Sequence, residues 1–483
     1  MKTPRSFFML LLFSLLCSAC TGPATSTEQT KEVVTEGVST EVEQENLKPD
    51  ASVVEEAPEP VIEKAEPLAW STTTLEKTLS AGAVHRITLP ETTGGEGKIS
   101  FFLKTKQVIE GVSIEEKELV IRFSYNASVQ ESFEVIAEDE KKQSASLSVK
   151  INTTIPEWTK LSFLDGPKGR ANPAMALAGD RLLMLGGFVA AGGSNELWMY
   201  QLSKKSWTLA KASGDVIPEG GVFRWVVTSI EEDGNKVEGL VVQGMSSSQA
   251  PITGTYRFVI NGTDVAWTKL QEEGTVPTSR AISAIGYSSK KKMLVLFGGI
   301  TLSGKPDNIT YTMKINGDKA VWETPTLQFK PPARYGSQFG VDPVNGRLYV
   351  VSGSAANQSP LTDTWVLHMD REEGMLWQEI KAKNPILWRQ NGALFVDVKH
   401  RRLFVWGGAN GKAAYGDLDA LTLDDKEPTW EAIGNMTNPP ARTSIYSACN
   451  HENGKCYIGG GRAPTLLSDL WSLEIAPTPK SAP

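Results

Sequence analysis

The feature that most limits what this chain can fold into is a unit that recurs six times in its C-terminal two-thirds. Each copy carries an apolar run ending in glycine: Leu182-Leu183-Met184-Leu185-Gly186-Gly187, Leu240-Val241-Val242-Gln243-Gly244, Leu294-Val295-Leu296-Phe297-Gly298-Gly299, Leu348-Tyr349-Val350-Val351-Ser352-Gly353, Leu403-Phe404-Val405-Trp406-Gly407-Gly408 and Cys456-Tyr457-Ile458-Gly459-Gly460. A second strand follows, clearest in Glu196-Leu197-Trp198-Met199-Tyr200, Asp363-Thr364-Trp365-Val366-Leu367 and Asp469-Leu470-Trp471-Ser472-Leu473, and Trp207, Trp267, Trp322, Trp377 and Trp430 mark a third. Self-similarity at a period of roughly 40 to 55 residues, built from short strands, is the signature of a ring of small sheets. The expected fold is all-β, with a six-bladed β-propeller over residues 156–476. The sixth unit has no Trp strand after Ile475, whereas Trp158-Thr159-Lys160-Leu161 stands alone before the first. That N-terminal piece is expected to complete the last blade, leaving no open sheet edge to pair with other chains.

Apolar run, double glycine, aromatic strand and Trp in this order resemble the kelch repeat. Gln243 and Ser352 depart from the pattern by replacing the first glycine. An Arg precedes the first strand of every unit, at Arg170, Arg224, Arg280, Arg334, Arg389 and Arg442, 53 to 56 residues apart. The resemblance implies that the first strand is innermost, which would set six guanidinium groups around one mouth of the channel, suited to bidentate capture of carboxylates. Some kelch proteins bind acidic peptides or sugars there. The competing reading is structural: an Arg repeated in every blade would bond loop carbonyls of its neighbour. Trp225, Tyr335 and Trp388, which adjoin the Arg positions, are candidates for ligand contact or for packing.

The other end of the chain speaks of export. Lys2 and Arg5 precede an apolar run from Phe7 to Leu16 and the small residues Ser18 and Ala19. Residues 1–19 therefore read as a signal peptide, the run being too short for the ~20 residues a membrane span needs. Leu16-Cys17-Ser18-Ala19-Cys20 resembles the lipobox of bacterial lipoproteins, with Cys17 where the family usually has Leu. The resemblance implies lipidation at Cys20, attachment to a membrane through acyl chains, and, with Thr21 following, the outer membrane of a bacterial envelope; periplasmic or surface-facing orientation stays open. The alternative is an ordinary signal cleaved nearby, leaving Cys20 a free thiol.

Residues 20–68 read as a tether. Between 21 and 68 lie twelve acids and three Lys, while the chain as a whole has a net charge of -7, so the remainder is balanced. Such a segment cannot bury enough apolar surface to offset the entropy of ordering. Residues 69–155 alternate with period two, as in Ala145-Ser146-Leu147-Ser148-Val149-Lys150-Ile151, and are expected to form a small β-sandwich acting as a spacer. Phe133–Asp139 followed by Leu147–Ile151 resembles the closing strands of immunoglobulin-like or cadherin-like modules, without the acidic calcium motifs. Residues 477–483 are expected to be a flexible tail.

A balanced folded part carries no electrostatic footprint for nucleic acid. The four histidines, His85, His368, His400 and His451, show no metal-ligand spacing. Cys449 and Cys456 flank a short turn and could close as a disulfide in an oxidising compartment or pack as free thiols. No catalytic residue, metal or cofactor is assigned. The expected function is non-catalytic: an envelope-anchored scaffold recognising a protein or glycan. The alternative, by resemblance to periplasmic six-bladed kelch enzymes, is a sialic-acid mutarotase using an Arg and a carboxylate such as Glu219.

Overall fold

The computed structural model describes residues 66–477, apart from 105–108, 127–128, 162–164, 232–233 and 435. The signal peptide, the lipidation site Cys20, nearly all of the acidic tether and residues 478–483 lie outside the described residues.

Six antiparallel sheets follow one another along the chain, each a meander whose strands we call a to d from the centre outward. The innermost strands, Ala174–Ala178, Gly221–Ile230, Ala284–Ser288, Gln338–Asp342, Ala393–Asp397 and Tyr446–Asn450, each touch the next, and the last touches the first, so they close a ring. The sixth blade takes its outer strand from the N-terminal side: Glu157–Leu161 pairs antiparallel with Leu470–Glu474. Sequence-distant strands thereby lock the ring shut and leave no free end at the closure.

The repeated Trp sits between blades. The indole of Trp377 in blade 4 donates to Thr310 of blade 3 at 3.0 Å, and that of Trp430 in blade 5 donates to Thr364 of blade 4 at 3.2 Å. A large apolar face is buried while its one polar atom is satisfied. Two extra strands, Lys211–Gly214 and Gln271–Gly274, run parallel to the outer strands of blades 2 and 3. They come from the connecting segments, which lack the alternation that marks a strand in sequence.

Residues 68–154 form a sandwich of a four-stranded sheet, in which Thr74–Ser80 pairs parallel with Ser144–Thr154, over a three-stranded one. Leu119, Ile121, Val135, Leu147 and Val149 fill its core. The module does more than space: it is docked on blade 5. Tyr125 is buried among propeller side chains that include Phe404 and Trp406. Arg402 donates to the carbonyl of Ala81 at 2.6 Å, and Thr422 donates to that of Gly82 at 2.6 Å.

Candidate functional site: the arginine series and the channel

Five of the six arginines do the same thing. In Arg170, Arg280, Arg334, Arg389 and Arg442, Nε donates to the carbonyl two residues earlier, at 3.0–3.2 Å. Nη1 donates to the carbonyl at the first glycine position of the same blade, that of Gly186, Gly298, Ser352, Gly407 and Gly460. The guanidinium is completed by an acid, Glu196 within strand c of blade 1 and Asp307, Asp363, Asp417 and Asp469 just before strand c of the other blades. In three blades that acid also accepts the indole N–H of the Trp two residues later. All five arginines are at most 2 % exposed. The carbonyls they hold belong to their own blade, not its neighbour.

The backbone of four of them faces the other way. The carbonyls of Arg170, Arg334, Arg389 and Arg442 receive an N–H from the preceding blade, as in Gly299 to Arg334 at 2.8 Å and Gly408 to Arg442 at 2.9 Å. A Cβ at Gly298 would meet the Arg334 carbonyl at 2.8 Å, which is why glycine recurs there. Ser352 occupies that position in blade 4 at φ 56°, and its hydroxyl bonds the Leu361 and Arg389 carbonyls at 2.9 and 3.2 Å.

Two residues beyond each Arg the backbone turns left-handed, at Asn172, Ile282, Gly336, Asn391 and Ser444. These positions hand a hydrogen bond around the channel: Gly336 N–H to Ile282, Asn391 to Gly336, Ser444 to Asn391, Asn172 to Ser444. In blade 2 the left-handed residue is Val222, which donates to Asn172. The position equivalent to the motif Arg is therefore Gly220, whose carbonyl accepts from Gly187 at 2.9 Å. Arg224, despite its regular spacing, is a different residue in a different place.

Arg224 leaves its blade and crosses the channel. Its Nε donates to the Ser283 carbonyl of blade 3, Nη1 to the Tyr446 hydroxyl of blade 6, and the guanidinium lies 5.3 and 5.0 Å from the rings of Phe339 and Tyr446. It lines a cavity of about 40 Å³ with Ser337, Asn391, Leu394, Ile445 and Ser447. Trp225 and Tyr335 are buried, the first donating to the Met175 carbonyl at 3.2 Å, and Trp388 is partly exposed with its indole on Ser354 at 3.0 Å. Glu219 is exposed beside Gly220. Cys449 and Cys456 pair across strands a and b of blade 6, their sulfurs 2.08 Å apart.

Because the strands alternate direction, the b–c loops and the connections between blades share one face, and the a–b and c–d hairpins share the other. The sandwich contacts blade 5 through Arg402 at its a–b hairpin and Thr422 at its c–d hairpin, so it occupies the second face. On the first face, Leu302, Phe329 and Leu387 are exposed by 60, 55 and 61 % in the loops of blades 3 to 5. In loops of the same face Lys305, Lys330, Lys381 and Lys412 are exposed and make no ion pair among the described residues, while Asp307, Asp363 and Asp417 are taken by the arginines. Among the described residues no group of three or more His, Cys, Asp or Glu is arranged to hold a metal.

Residues 291–478 match the family model described as KLHDC2/KLHL20/DRC7 Kelch-repeats domain, and residues 138–313 match that of the Attractin/LZTR1 beta-propeller. Among known proteins, the chain is similar to Adagio-like protein 1 of Oryza sativa subsp. japonica, 28% identical over 222 residues, 44% of this chain and 34% of that protein. Adagio protein 3 of Arabidopsis thaliana is 34% identical over 152 residues, 30% of this chain and 24% of that protein. Host cell factor 1 of Homo sapiens is 28% identical over 218 residues, 41% of this chain and 10% of that protein. The chain thus spans about a third or less of these relatives' length. With six sheets closed into a ring and matches that together run from 138 to 478, the C-terminal two-thirds of this chain is a kelch-repeat β-propeller.

Proposed function

We propose that this protein is a non-catalytic scaffold, lipid-anchored at Cys20 in a bacterial envelope, whose propeller binds a protein segment carrying acidic and apolar side chains. The observation that carries the reading is that Leu302, Phe329 and Leu387 are exposed together with Lys305, Lys330, Lys381 and Lys412 in loops of the face that the sandwich leaves free. Exposed apolar groups rimmed by charge mark interaction surfaces, and uncompensated lysines steer an acidic partner.

The motif arginines contribute by rigidity. With five guanidinium groups closed by carboxylates, they hold the loops that present this surface and leave no free cation of their own.

The test is a panel of immobilised peptides that vary acidic and apolar content, with acidic glycans alongside, probed with the purified protein and with a Phe329→Asp/Leu387→Asp variant. Binding to acidic, apolar peptides that is lost in the variant while the melting temperature is kept supports the reading. Binding to glycans alone, or binding unchanged in the variant, overturns it. Anchoring is tested separately: Cys20→Ala should move the protein from the membrane to the soluble fraction.

A further inference from the structure

Arg224 is 2 % exposed, yet no carboxylate reaches it among the described residues, unlike the five motif arginines. Its Nε and Nη1 donate to the Ser283, Val222 and Phe223 carbonyls and the Tyr446 hydroxyl, and Nη2 has no hydrogen-bond partner among the described residues. Phe339 and Tyr446 stack against the cation and lower the cost of burying it without neutralising it. Taking a guanidinium out of water is costly unless a counter-charge goes with it.

The surroundings supply the rest of a site. The cavity lined by Arg224 also has the side chains of Asn391, Ser337 and Ser447 in its wall. Tyr446 accepts from Nη1, so its own hydroxyl proton is free to be donated. Asn391 brings an amide with two donors, and no hydrogen bond from its side chain is formed to the described residues. Cation, amide and hydroxyl all present hydrogen atoms to one small space. The two serines donate elsewhere, Ser337 to the Ser352 carbonyl at 2.9 Å and Ser447 to the Leu394 carbonyl at 3.4 Å, and so contribute no proton to the cavity.

We propose that this end of the central channel is a binding site for a small monovalent inorganic anion, chloride being the first candidate, held by Arg224, Asn391 and Tyr446. The charge calls for an anion, the donors match one, and a cavity of about 40 Å³ suits a small ion. The ion joins blade 2 to blades 5 and 6 across the channel, through the one arginine that starts from the place where the relay of backbone hydrogen bonds is broken, between Val222 and Ile282, and that bonds Ser283 there. Its role is to complete the ring, independent of what the outer loops bind.

The experiment uses the wild-type protein. Crystals grown in sodium bromide, measured at the bromine absorption edge, should show an anomalous peak within hydrogen-bond distance of Arg224 Nη2. Thermal melts at constant ionic strength should rise saturably in sodium chloride relative to sodium gluconate. In Tyr446→Phe, which keeps the ring under the cation and removes the hydroxyl donor, the chloride concentration for half the rise should be about tenfold higher, the scale expected for loss of a hydrogen bond to a charged group. No anomalous peak in the channel, together with equal melting in the two salts, would sink the proposal.

Discussion

Arg334 and Asp363 meet in a two-point ion pair, Nη1 to Oδ1 at 2.8 Å and Nη2 to Oδ2 at 2.6 Å, which ties the start of blade 4 to the end of its b–c loop. Burial would push the Asp363 carboxyl up, but Arg334 and the Trp365 indole outweigh it and hold the group below the usual carboxylate range. The pair is structural in position, since the guanidinium is buried and already bonded to the Pro332 and Ser352 carbonyls.

Asp363→Ala should therefore cost about 3–5 kcal/mol, the scale for removing one partner of a buried ion pair and leaving the other charge uncompensated. Urea unfolding reads this directly as a lower midpoint at unchanged slope. A change below 1 kcal/mol would mean that the arginines are available to ligands after all.

Ser352 makes a finer test of the same joint. It holds a left-handed backbone at φ 56° where four other blades use glycine, and its hydroxyl bonds two carbonyls and accepts the Arg389 N–H at 3.1 Å. Ser352→Ala keeps the strain and removes those bonds, so a loss of about 1–3 kcal/mol is expected. Ser352→Gly removes the strain along with the bonds and should fall within about 1 kcal/mol of wild type. Paired thermal melts of the two variants decide it, and the order Gly above Ala is the outcome required.

The ring was legible in the sequence because strand period, double glycine and Trp recur together, and the unpaired Trp158 strand announced the closure. What the arginines do was not, although the signal is there: an acid stands 26 to 29 residues after Arg170, Arg280, Arg334, Arg389 and Arg442. After Arg224 those positions are Ala250, Pro251, Ile252 and Thr253. Even spacing hid this, because Arg224 lies on the inner strand four residues beyond its apparent equivalents, a shift that only the left-handed turn at Val222 exposes. The docking of the sandwich had no local signature. It depends on Arg402 and Tyr125 meeting across some 300 residues, and single-chain periodicity carries no information about such contacts.

Acid should loosen that docking. The His85 and His400 rings lie 5.7 Å apart across the junction, and His85 Nε2 donates to the Ser80 carbonyl at 3.0 Å. Burial lowers the His85 pKa first, and the neighbouring His400 and Arg402 charges add to it, against the Ser80 carbonyl and Asp397. A group whose folded pKa is depressed binds more protons when unfolded, so its contribution is complete above ~6.5 and is lost as pH falls below that value. Burial lowers His451 in the same direction. The melting temperature of wild type should drop between pH 7 and pH 5, and His85→Gln should drop less over the same interval.

Asp419 has the opposite sign. Burial, then the nearby Asp417, raise it to about 6 against the pull of Arg389, which donates to both carboxylates. A raised carboxyl contributes stability at low pH that is lost as pH climbs through about 6, its unfolded pKa being ~3.9. Asp419→Asn keeps an acceptor for Arg389 and removes the titration. Its melting temperature should equal or exceed that of wild type at pH 8, and the gap should close toward pH 4.

The sandwich and propeller should unfold together. The Tyr125 hydroxyl donates to Thr422 at 2.7 Å, and Thr422 in turn donates to Gly82, a relay that enters the propeller and returns to the sandwich. Beside it the fully buried Arg402 is bonded to Asp397 at 2.9 and 2.6 Å and to Ala81 at 2.6 Å, while Arg122 of the sandwich pairs with Asp425 and Glu431 of blade 5. Arg402 keeps Asp397 within its own blade, but separation would take the Ala81 carbonyl from Arg402, the Gly82 carbonyl from Thr422, and both acids from Arg122, and would leave the Tyr125 hydroxyl without its partner. Calorimetry of the wild type should show one transition. Arg122→Met with Tyr125→Phe keeps the Arg402–Asp397 pair inside the propeller and removes the Asp425 and Glu431 ion pairs and the Thr422 hydrogen bond, so two transitions should appear, the lower belonging to the sandwich, which holds Trp70 in its core. One undivided transition in the double variant would place the coupling elsewhere, in the Arg402 and Thr422 bonds to Ala81 and Gly82 or in apolar packing alone.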